Sequence, residues 1–285
     1  HNTNCGVFAF ERGTGAIKGN EIHHNGMNGV AMMSGGDLFI QNNRIHNNQH
    51  SAVYSFDRGL GTIQDNDLFE NGHNGVAIGG QSDALVRLNR IYRNTHSGVY
   101  VFEDGEGGTI EENEIFANER DGVRIQKRHA HLIARNRIHD NGWNGVTTSE
   151  GGGSTFLGNS VVGNKLNNWD IADLESAVPE SGDRLVITEP RDGQQLIDES
   201  GNGRVIDIAG RLDPSAIKPG RVVEVVIHTD IDYPQGEVSP APDGTWRHEW
   251  NHLGGSTHRI FAVLRENDEP LFRSAVVTVD VVRRS

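Results

Sequence analysis

The stretch Asn20-Glu-Ile-His-His-Asn25-Gly-Met-Asn-Gly29-Val30 decides the fold, because its pattern recurs along the first 169 residues of the chain. The copies begin at Asn20, Asn43, Asn66, Asn89, Asn113, Asn136 and Asn159. Successive copies lie 23 residues apart, except for one interval of 24. A short and nearly constant period is typical of solenoids, in which each repeat forms one structural unit stacked on the next.

Each repeat contains three short apolar segments separated by Gly and Asn, as around Ile22, Val30 and Leu38. A two-helix repeat needs a longer unit, and a leucine-rich repeat needs several leucines per unit. The segments therefore predict one coil of a parallel β-helix, with neighbouring coils about 4.8 Å apart. Equivalent residues then stack in columns, so the two asparagine columns should form amide ladders. The glycine of each Gly-Val pair is expected at a tight corner with positive φ.

The Asn-x-Ile-x-x-Asn-x-x-x-Gly-Val repeat resembles that of right-handed parallel β-helix proteins of the pectin-lyase-like superfamily, in the branch that includes NosD and the bacterial alginate epimerases. The resemblance implies the fold, but that superfamily carries lyases, hydrolases, epimerases and non-catalytic binders alike. It also implies export, to the periplasm, the cell surface or the extracellular space. The Asp-Pro-His motif expected of alginate epimerases is absent, since His139-Asp140 lacks the proline, and this disfavours epimerase activity.

The repeat ends near Trp169, and the composition changes after it. Residues 170–183 are acidic and contain turn formers, which predicts a linker or a coil cap. Residues 184–285 hold strand-like segments at 184–188, 204–210, 222–228, 245–250, 258–264 and 275–282. This predicts a β-sandwich, and the Asp243-Gly-Thr-Trp246 strand entry resembles bacterial immunoglobulin-like or fibronectin-like domains. The predicted class is all-β: a right-handed β-helix of about seven coils over residues 1–169, then an immunoglobulin-like sandwich.

Composition excludes several classes of partner. The net charge of −13 argues against nucleic acid, because phosphate binding needs a basic surface. No apolar run approaches the ~20 residues of a membrane span, so membrane insertion is not expected. The single Cys5 excludes an internal disulfide framework. Gly6-Val7 aligns with Gly29-Val30, so the chain starts within a repeat, and we expect an N-terminal portion or another chain to cover the first coil.

Histidines occupy three successive places in the column two residues before each Gly-Val position. His50, His73 and His96 would lie about 4.8 Å apart, and imidazole is a ligand for zinc or copper. A tetrahedral site needs converging ligands, whereas ladder side chains point in parallel, so a stacked surface row is the alternative. A second column mixes imidazole with other rings and is predicted to stack. It holds His23, His46, Phe69, Tyr92, Phe116, His139 and Val162.

Charged residues follow the Gly-Val strand at the next turn, where they alternate with small residues from coil to coil. Small residues at every second coil would leave a groove, and its charged flanks would suit hydroxyl-rich or anionic sugars. The predicted substrate-binding residues are Asp57, Arg58, Glu103, Asp104, Arg124 and Glu150. The alternative is a solvated charged edge.

One coil concentrates cations, namely Lys127, Arg128 and His129, beside the acidic residues of the preceding coil. β-Elimination of a uronate needs a cation to neutralise the carboxylate and a base to take the C5 proton. β-Helix polysaccharide lyases commonly use a Lys or Arg base, so the resemblance implies these three residues as a catalytic centre. Glu103 and Asp104 would then be Ca²⁺ ligands. Cross-coil ion pairing is the alternative.

Two function hypotheses follow from these observations. The first is a non-catalytic module of a larger exported protein, a β-helix that binds carbohydrate or a protein partner or acts as a scaffold. The second is a polysaccharide lyase acting on a uronate polymer, for which Ca²⁺ is the candidate ion; the first needs no cofactor. Enzymes of this fold normally interrupt the repeat with long loops, and the near-constant period here favours the first hypothesis.

Overall fold

The computed structural model describes residues 2–103, 108–126, 131–149, 154–172, 175, 178–198, 204–216, 223–229, 235–252, 257–266 and 268–283. The chain forms two compact units, His1–Ala177 and Val178–Ser285. Each unit is built from β-strands, which confirms the predicted all-β class. No helix in the described part of the chain is long and apolar enough to cross a membrane.

The first unit is a parallel β-helix of about seven coils, as predicted, with three sheets running along it. The first sheet contains Val7–Ala9 (β1), Val30–Met32 (β4), Val53–Ser55 (β7), Val76–Ile78 (β10), Val99–Val101 (β13), Val123–Ile125 (β16), Val146–Thr148 (β19) and Trp169–Ile171 (β22). The second contains Thr14–Lys18 (β2), Asp37–Gln41 (β5), Leu60–Gln64 (β8), Asp83–Arg87 (β11), Thr109–Glu111 (β14), Leu132–Ala134 (β17) and Thr155–Leu157 (β20). The third contains Glu21–His23 (β3), Arg44–His46 (β6), Asp67–Phe69 (β9), Arg90–Tyr92 (β12), Glu114–Phe116 (β15), Arg137–His139 (β18) and Ser160–Val162 (β21).

Branched aliphatic side chains from all three sheets fill the interior of the coils. Val53, Ile63 and Ile45, one from each sheet, are fully buried and belong to one continuous core. The pairing between neighbouring strands places each of these residues directly over its equivalent in the next coil. Because strand residues alternate between faces, every inward column implies a neighbouring outward column. The outward columns of the first sheet form the surface described below.

The two asparagine columns form the predicted ladders inside the corners of the coils. Asn66 is 2% exposed, and its Nδ2 atom donates to the carbonyl oxygens of Ile40 at 2.9 Å and Gln64 at 2.8 Å. The same nitrogen donates to Asn89 Oδ1 at 3.0 Å in the next coil. Asn66 Oδ1 in turn accepts from Nδ2 and the backbone N–H of Asn43, at 3.0 and 2.9 Å. The amide thus links three successive coils and donates to carbonyl oxygens near the ends of two strands.

The expectation of positive φ at the Gly-Val glycines is wrong: Gly29 and Gly75 have none. Glycine is needed there for close approach, because a Cβ on Gly29 would lie 2.3 Å from Ile45 Cγ2 and 2.7 Å from the Ala52 carbonyl oxygen. The left-handed conformation occurs instead at residues that precede ladder asparagines, such as Asp65 and Glu70. Those residues turn the chain so that the asparagine side chain enters the corner.

The outer face of the third sheet confirms the predicted ring stack. Rings follow one another from His23 to His139, with successive centroids 4.7 to 5.2 Å apart. Beside them runs a column of alternating charge, in which Arg90 contacts Asp67 at 3.4 Å and Glu114 at 3.3 Å. Both columns are therefore occupied by contacts between coils.

The second unit contains two sheets that share a hydrophobic core. The smaller sheet contains Leu185–Glu189 (β23), Arg204–Leu212 (β25) and Thr245–His252 (β28). The larger contains Gln194–Asp198 (β24), Val223–His228 (β26), Gly236–Val238 (β27), Thr257–Glu266 (β29), Glu269–Arg273 (β30) and Val277–Arg283 (β31). All six predicted segments form strands, while β24, β27 and β30 were not predicted. Trp246 and Trp250 are buried in the core. The immunoglobulin-like topology stays a prediction.

Candidate functional site: an aromatic groove on the first sheet

Large and small side chains alternate along the outward column of the first sheet. Parallel pairing stacks Phe8, Ala31, Tyr54, Ala77 and Tyr100 in successive coils. Ala31 and Ala77 are 1% and 2% exposed, whereas Phe8 is 51% exposed. The aromatic side chains thus project from alternate coils, about 9.6 Å apart at twice the spacing of neighbouring strands.

A second column, two residues further along the chain, carries aromatic side chains in the same alternate coils. It contains Phe10, Met33, Phe56, Gly79 and Phe102, and the backbone N–H of each residue from Met33 onward donates to the coil before it at 2.9 Å. The rings of the two columns pair within a coil, with centroids 5.2 Å apart for Phe8 and Phe10 and 5.3 Å apart for Tyr100 and Phe102. Phe102 also reaches toward Tyr54, with centroids 6.1 Å apart. The surface is therefore a set of aromatic pairs, of which the second and third approach each other across Ala77 and Gly79.

An open groove with a volume of about 750 Å³ lies beside these rings. One wall consists of Phe8, Tyr54, Tyr100 and Phe102, and the opposite wall consists of Met27, His50 and His73. The floor is formed by small and amide-bearing side chains, chiefly Asn28, Ala31, Ser51, Asn74 and Ala77. We call this surface the aromatic groove. It combines flat apolar walls with a few hydrogen-bonding groups, as is typical of small-molecule and carbohydrate sites.

The floor asparagines are fixed by the backbone of the next coil. The Oδ1 atom of Asn28 accepts from Ser51 N at 3.0 Å, and that of Asn74 accepts from Ser97 N at 3.1 Å. The Asn28 amide nitrogen also donates to Cys5 Sγ at 4.0 Å. Because an amide nitrogen carries two hydrogens, both asparagines can still donate to a ligand in the groove. Asn28 and Asn74 belong to the coils that carry Ala31 and Ala77. In each of these coils, an amide therefore lies beside a position from which no aromatic side chain projects.

The three histidines predicted as a metal site lie in a stack. The ring centroids are 4.8 Å apart for His50 and His73 and 4.7 Å apart for His73 and His96. Burial, followed by the charges of His50 and Arg120, lowers the pKa of His73 below its usual 6.5, so this imidazole is neutral at neutral pH. Within the described ranges, no three His, Cys, Asp or Glu side chains are arranged to hold a metal ion. Metal binding by this row stays an untested prediction, while His50 and His73 contribute to the groove wall.

The described turn residues predicted to bind substrate follow the second aromatic column, and none of them lines the groove. Asp57 and Arg58 directly follow Phe56 and have positive φ values of 50° and 60°. Asp57 contacts Arg58 at 3.6 Å and accepts a hydrogen bond from Ser34 Oγ at 2.8 Å. Glu103 directly follows Phe102. Burial of Tyr54 is the first cause that raises its pKa above 10.0, and the charge of Glu103 is the second. Asp104 and Glu150 lie outside the described residues.

The outward column becomes polar beyond Tyr100. Arg124 takes the next place, followed by Thr147 and Asp170. Arg124 contacts the buried Asp121 at 3.4 Å, and Asp121 Oδ1 accepts from Thr147 Oγ1 at 3.0 Å. Arg124, predicted to bind substrate, is thus held by an ion pair within its own coil. The three residues of the predicted lyase centre, Lys127, Arg128 and His129, lie outside the described residues.

The aromatic side chains of the groove were not among the residues predicted from the sequence. A signal was present, because Phe8, Tyr54 and Tyr100 are spaced by 46 residues, as are Phe10, Phe56 and Phe102. This double period is hidden beneath the stronger 23-residue period of Asn, Gly and Val. It could have been found by comparing alternate repeats with each other.

The stacked coils, with the groove along their first sheet, define a parallel β-helix protein. The chain belongs to the family described as the right handed beta helix region, which matches residues 1–106 and 37–178 in two overlapping segments. A comparison with curated proteins gives no match.

Three solved structures show the range of the structural likeness. The periplasmic alginate epimerase AlgG is 20% identical over 65% of this chain and 43% of its own, with a TM-score of 0.48. The A-module of the Azotobacter vinelandii mannuronan C-5 epimerase AlgE4 is 16% identical over 55% of this chain and 56% of its own, with a TM-score of 0.43. The enzymatically active domain of tailspike protein 2 from bacteriophage CBA120 is 9% identical over 88% and 56%, with a TM-score of 0.29. The chain spans less than half the length of AlgG.

Proposed function

We propose that this chain is a non-catalytic module that binds an elongated carbohydrate along the aromatic groove. The observation that carries the proposal is the alternation of aromatic and small residues along a groove that crosses several coils. Contiguous apolar surface of this kind, bordered by polar groups, is typical of interaction sites. A β-helix keeps the rings at fixed spacing, so little conformational entropy is lost when a ligand binds.

The chemistry of the lining favours a sugar over other ligands. Pyranose rings have C–H faces that pack on aromatic rings, and hydroxyl groups around the rim that need hydrogen bonds. The groove offers both, since aromatic walls face amide groups on Asn28 and Asn74. The Tyr100 hydroxyl donates to Gln126 Oε1, which leaves its oxygen lone pairs as acceptors. Nucleic acid bases also stack on aromatic rings, but the net charge of −13 opposes their phosphates.

Two further parts of the hypothesis stay proposals. Export, to the periplasm, the cell surface or the extracellular space, agrees with a carbohydrate ligand met outside the cytoplasm. A protein partner is the other ligand class, and a peptide would be expected to use unpaired strand edges rather than a groove across paired strands. The uronate lyase stays an alternative whose proposed base and Ca²⁺ ligands depend partly on residues outside the described ranges.

The test is a binding assay with a panel of soluble polysaccharides, both neutral and uronate-containing. We expect one or more to bind, and Tyr54→Ala together with Tyr100→Ala to weaken that binding by about tenfold or more, since each aromatic contact contributes about 1 kcal/mol. Tyr92→Ala is the matched control, because Tyr92 belongs to the ring stack on the third sheet. Unchanged affinity in the groove variant, or equal loss in the control, contradicts the proposal. Ultraviolet absorbance of unsaturated products from the uronates would reveal a lyase.

A further inference from the structure

We infer that the aromatic groove binds an uncharged polysaccharide in a fixed register, with one disaccharide unit for every two coils. The inference deepens the proposed function and rests on it. It identifies the repeat length and the charge of the ligand from the described residues of the groove. Three features of the structure carry it: two compartments that repeat along the first outward column, an alternation that packing does not require, and a lining without charged side chains.

The groove contains two compartments that repeat along the first outward column. They differ in the second column, where Met33 accompanies Ala31, whereas the Phe102 ring lies over Gly79 beside Ala77. The first lies over Ala31, between Phe8 and Tyr54, and the second lies over Ala77, between Tyr54 and Tyr100. Both alanines are almost fully buried, so the floor is flat between the projecting rings. The two compartments are separated by two coils, or about 9.6 Å.

Each compartment combines an alanine with an asparagine of the same coil. Asn28 accompanies Ala31 in the first, and Asn74 accompanies Ala77 in the second, and both asparagines line the groove. The coils between them carry Ser51 at the asparagine position and aromatic residues at the alanine position. Hydrogen-bonding and apolar features therefore share one two-coil period.

Packing between coils does not require this alternation. On the third sheet, the column from His23 to His139 carries a ring in six successive coils, at centroid separations of 4.7 to 5.2 Å. Rings at every coil are thus compatible with the coil spacing. The alanines leave open space in the groove that aromatic residues could have filled, and this space suits a ligand.

The lining indicates that the ligand carries no charge. None of the described residues that line the groove is Asp, Glu, Lys or Arg. The described turn residues Asp57, Arg58 and Glu103 have both signs, and the Asp57 carboxylate is engaged by Arg58 and Ser34. A polyuronate would bring a row of carboxylates to an acidic protein without a matching row of cations among the residues that line the groove. A neutral polymer avoids both the desolvation of such carboxylates and their repulsion by the acidic protein.

The two-coil period matches the symmetry of a flat, extended polysaccharide. In a β-1,4-linked chain, successive sugars are turned over, so the same ring face and the same hydroxyl groups recur only at every second sugar. A surface that recognises such a chain in register needs subsites that repeat one disaccharide apart. The two compartments supply that arrangement, and at least four sugars are needed to occupy both.

The inference is tested by calorimetry of the whole chain with cello-, chito- and manno-oligosaccharides of two to six sugars. Oligouronates of the same lengths are measured in parallel. We expect the affinity for one neutral series to rise by about tenfold or more between two and four sugars, because the second subsite is filled intramolecularly. We expect only a small change between two and three sugars, and weaker binding of every oligouronate.

Ala31→Tyr and Ala77→Tyr each fill one compartment with a residue type that the column already holds at Tyr54 and Tyr100. Either variant should reduce the affinity for four sugars to that for two. Thr62→Tyr is the matched control on the outer face of the second sheet, and it should leave binding unchanged. Thermal unfolding of all variants shows that the coils remain folded.

The outcomes separate the two proposals. The inference is supported if the affinity rises stepwise with each added disaccharide and if either compartment variant removes that rise. A smooth gain per sugar, unchanged binding by both compartment variants, or preference for oligouronates overturns it while carbohydrate binding itself stands. Absence of binding to every oligosaccharide and polysaccharide overturns both the inference and the proposed function.

Discussion

The ring of Phe102 lies directly over Gly79 of the preceding coil, so a Cβ on Gly79 would come within 2.6 Å of two ring carbons. Real Cβ atoms do not approach other atoms so closely, and the ring would have to move. The contact brings Phe102 next to Phe56 two coils away, with centroids 6.1 Å apart and planes inclined by 8°. The absence of a side chain at one position therefore sets the shape of the groove wall.

Gly79→Ala should weaken carbohydrate binding several-fold while changing the free energy of unfolding by less than about 1 kcal/mol. Gly79 does not have a positive φ, so alanine fits its backbone and only the ring of Phe102 is displaced. The measurement is titration calorimetry with the polysaccharide that binds best, together with thermal unfolding. Gly15→Ala is the control, because its Cβ would meet only Leu38 at an ordinary 3.8 Å. Binding unaffected by Gly79→Ala would show that the ring position is irrelevant to the ligand.

Asn66→Ala should destabilise the β-helix by about 3 to 5 kcal/mol, measured by urea denaturation. The substitution removes the amide that donates to Ile40, Gln64 and Asn89, and it leaves the buried backbone N–H of Asn43 without its acceptor. Each unsatisfied buried group costs about 1 to 3 kcal/mol. Asn20→Ala is the matched control at the exposed end of the same ladder and should cost about 1 kcal/mol or less. Equal losses in the two variants would contradict an energetic role for the interior ladder.

The second unit should lose stability as the pH falls from 6.5 toward 4. Burial, with a smaller contribution from Arg265, lowers the pKa of His228 from 6.5 to about 4. Between these values the unfolded chain binds a proton that the folded chain does not, so stability is fully present above pH 6.5 and decreases below it. The loss approaches about 3 kcal/mol near pH 4.

His228→Phe should flatten this part of the stability profile. The phenyl ring preserves stacking on Phe261, which lies 5.2 Å from His228 between ring centroids, and it has no proton to gain. Denaturant unfolding at a series of pH values measures the difference between the two proteins, in which contributions from shared carboxylates cancel. A constant difference across pH 4 to 6.5 would contradict the assignment to His228.

Asp121→Asn should lower the pKa of Asp170. Burial is the larger cause that raises the Asp170 pKa above 3.8, and the charge of Asp121 is the second. Asparagine keeps an oxygen for Asn144 and Thr147, which donate to Asp121 Oδ1 at 3.3 and 3.0 Å. It removes the charge and replaces the Oδ2 atom that accepts from Arg124 with an amide nitrogen. Carboxyl resonances followed by NMR through a pH titration measure the shift.

Two variants complete that experiment. Asp140→Asn changes an exposed carboxylate paired with His139, and it should leave the Asp170 titration unchanged. Asp121→Ala also removes the hydrogen-bond acceptor and should destabilise the β-helix by about 2 to 4 kcal/mol. An Asp170 pKa that is the same in wild type and Asp121→Asn would show that the two carboxylates do not interact.

The β-helix was predictable because each coil has the same requirements. Every corner needs an amide to satisfy its backbone, as Asn66 does, and every coil needs aliphatic side chains such as Ile45 and Val53 in its interior. The predicted reason for the Gly-Val glycines was wrong, because their closeness to Ile45 and its equivalents arises from packing between sheets. The ring column of His23 was predicted from spacing alone, whereas the charge column of Arg90 beside it was not predicted.

By itself, the sequence determined the coil, its period and its inward and outward faces, because these depend on residues that recur in every repeat. Only the tertiary structure decided where the groove lies. Tyr54 and Tyr100 are 46 residues apart in the sequence. His50 and His73 precede the strands of the first sheet, so the width of the groove between the tyrosine and histidine walls depends on how the chain turns before each strand. The stacking of coils aligns equivalent residues in columns. A site forms only where the side chains of different columns leave space between them.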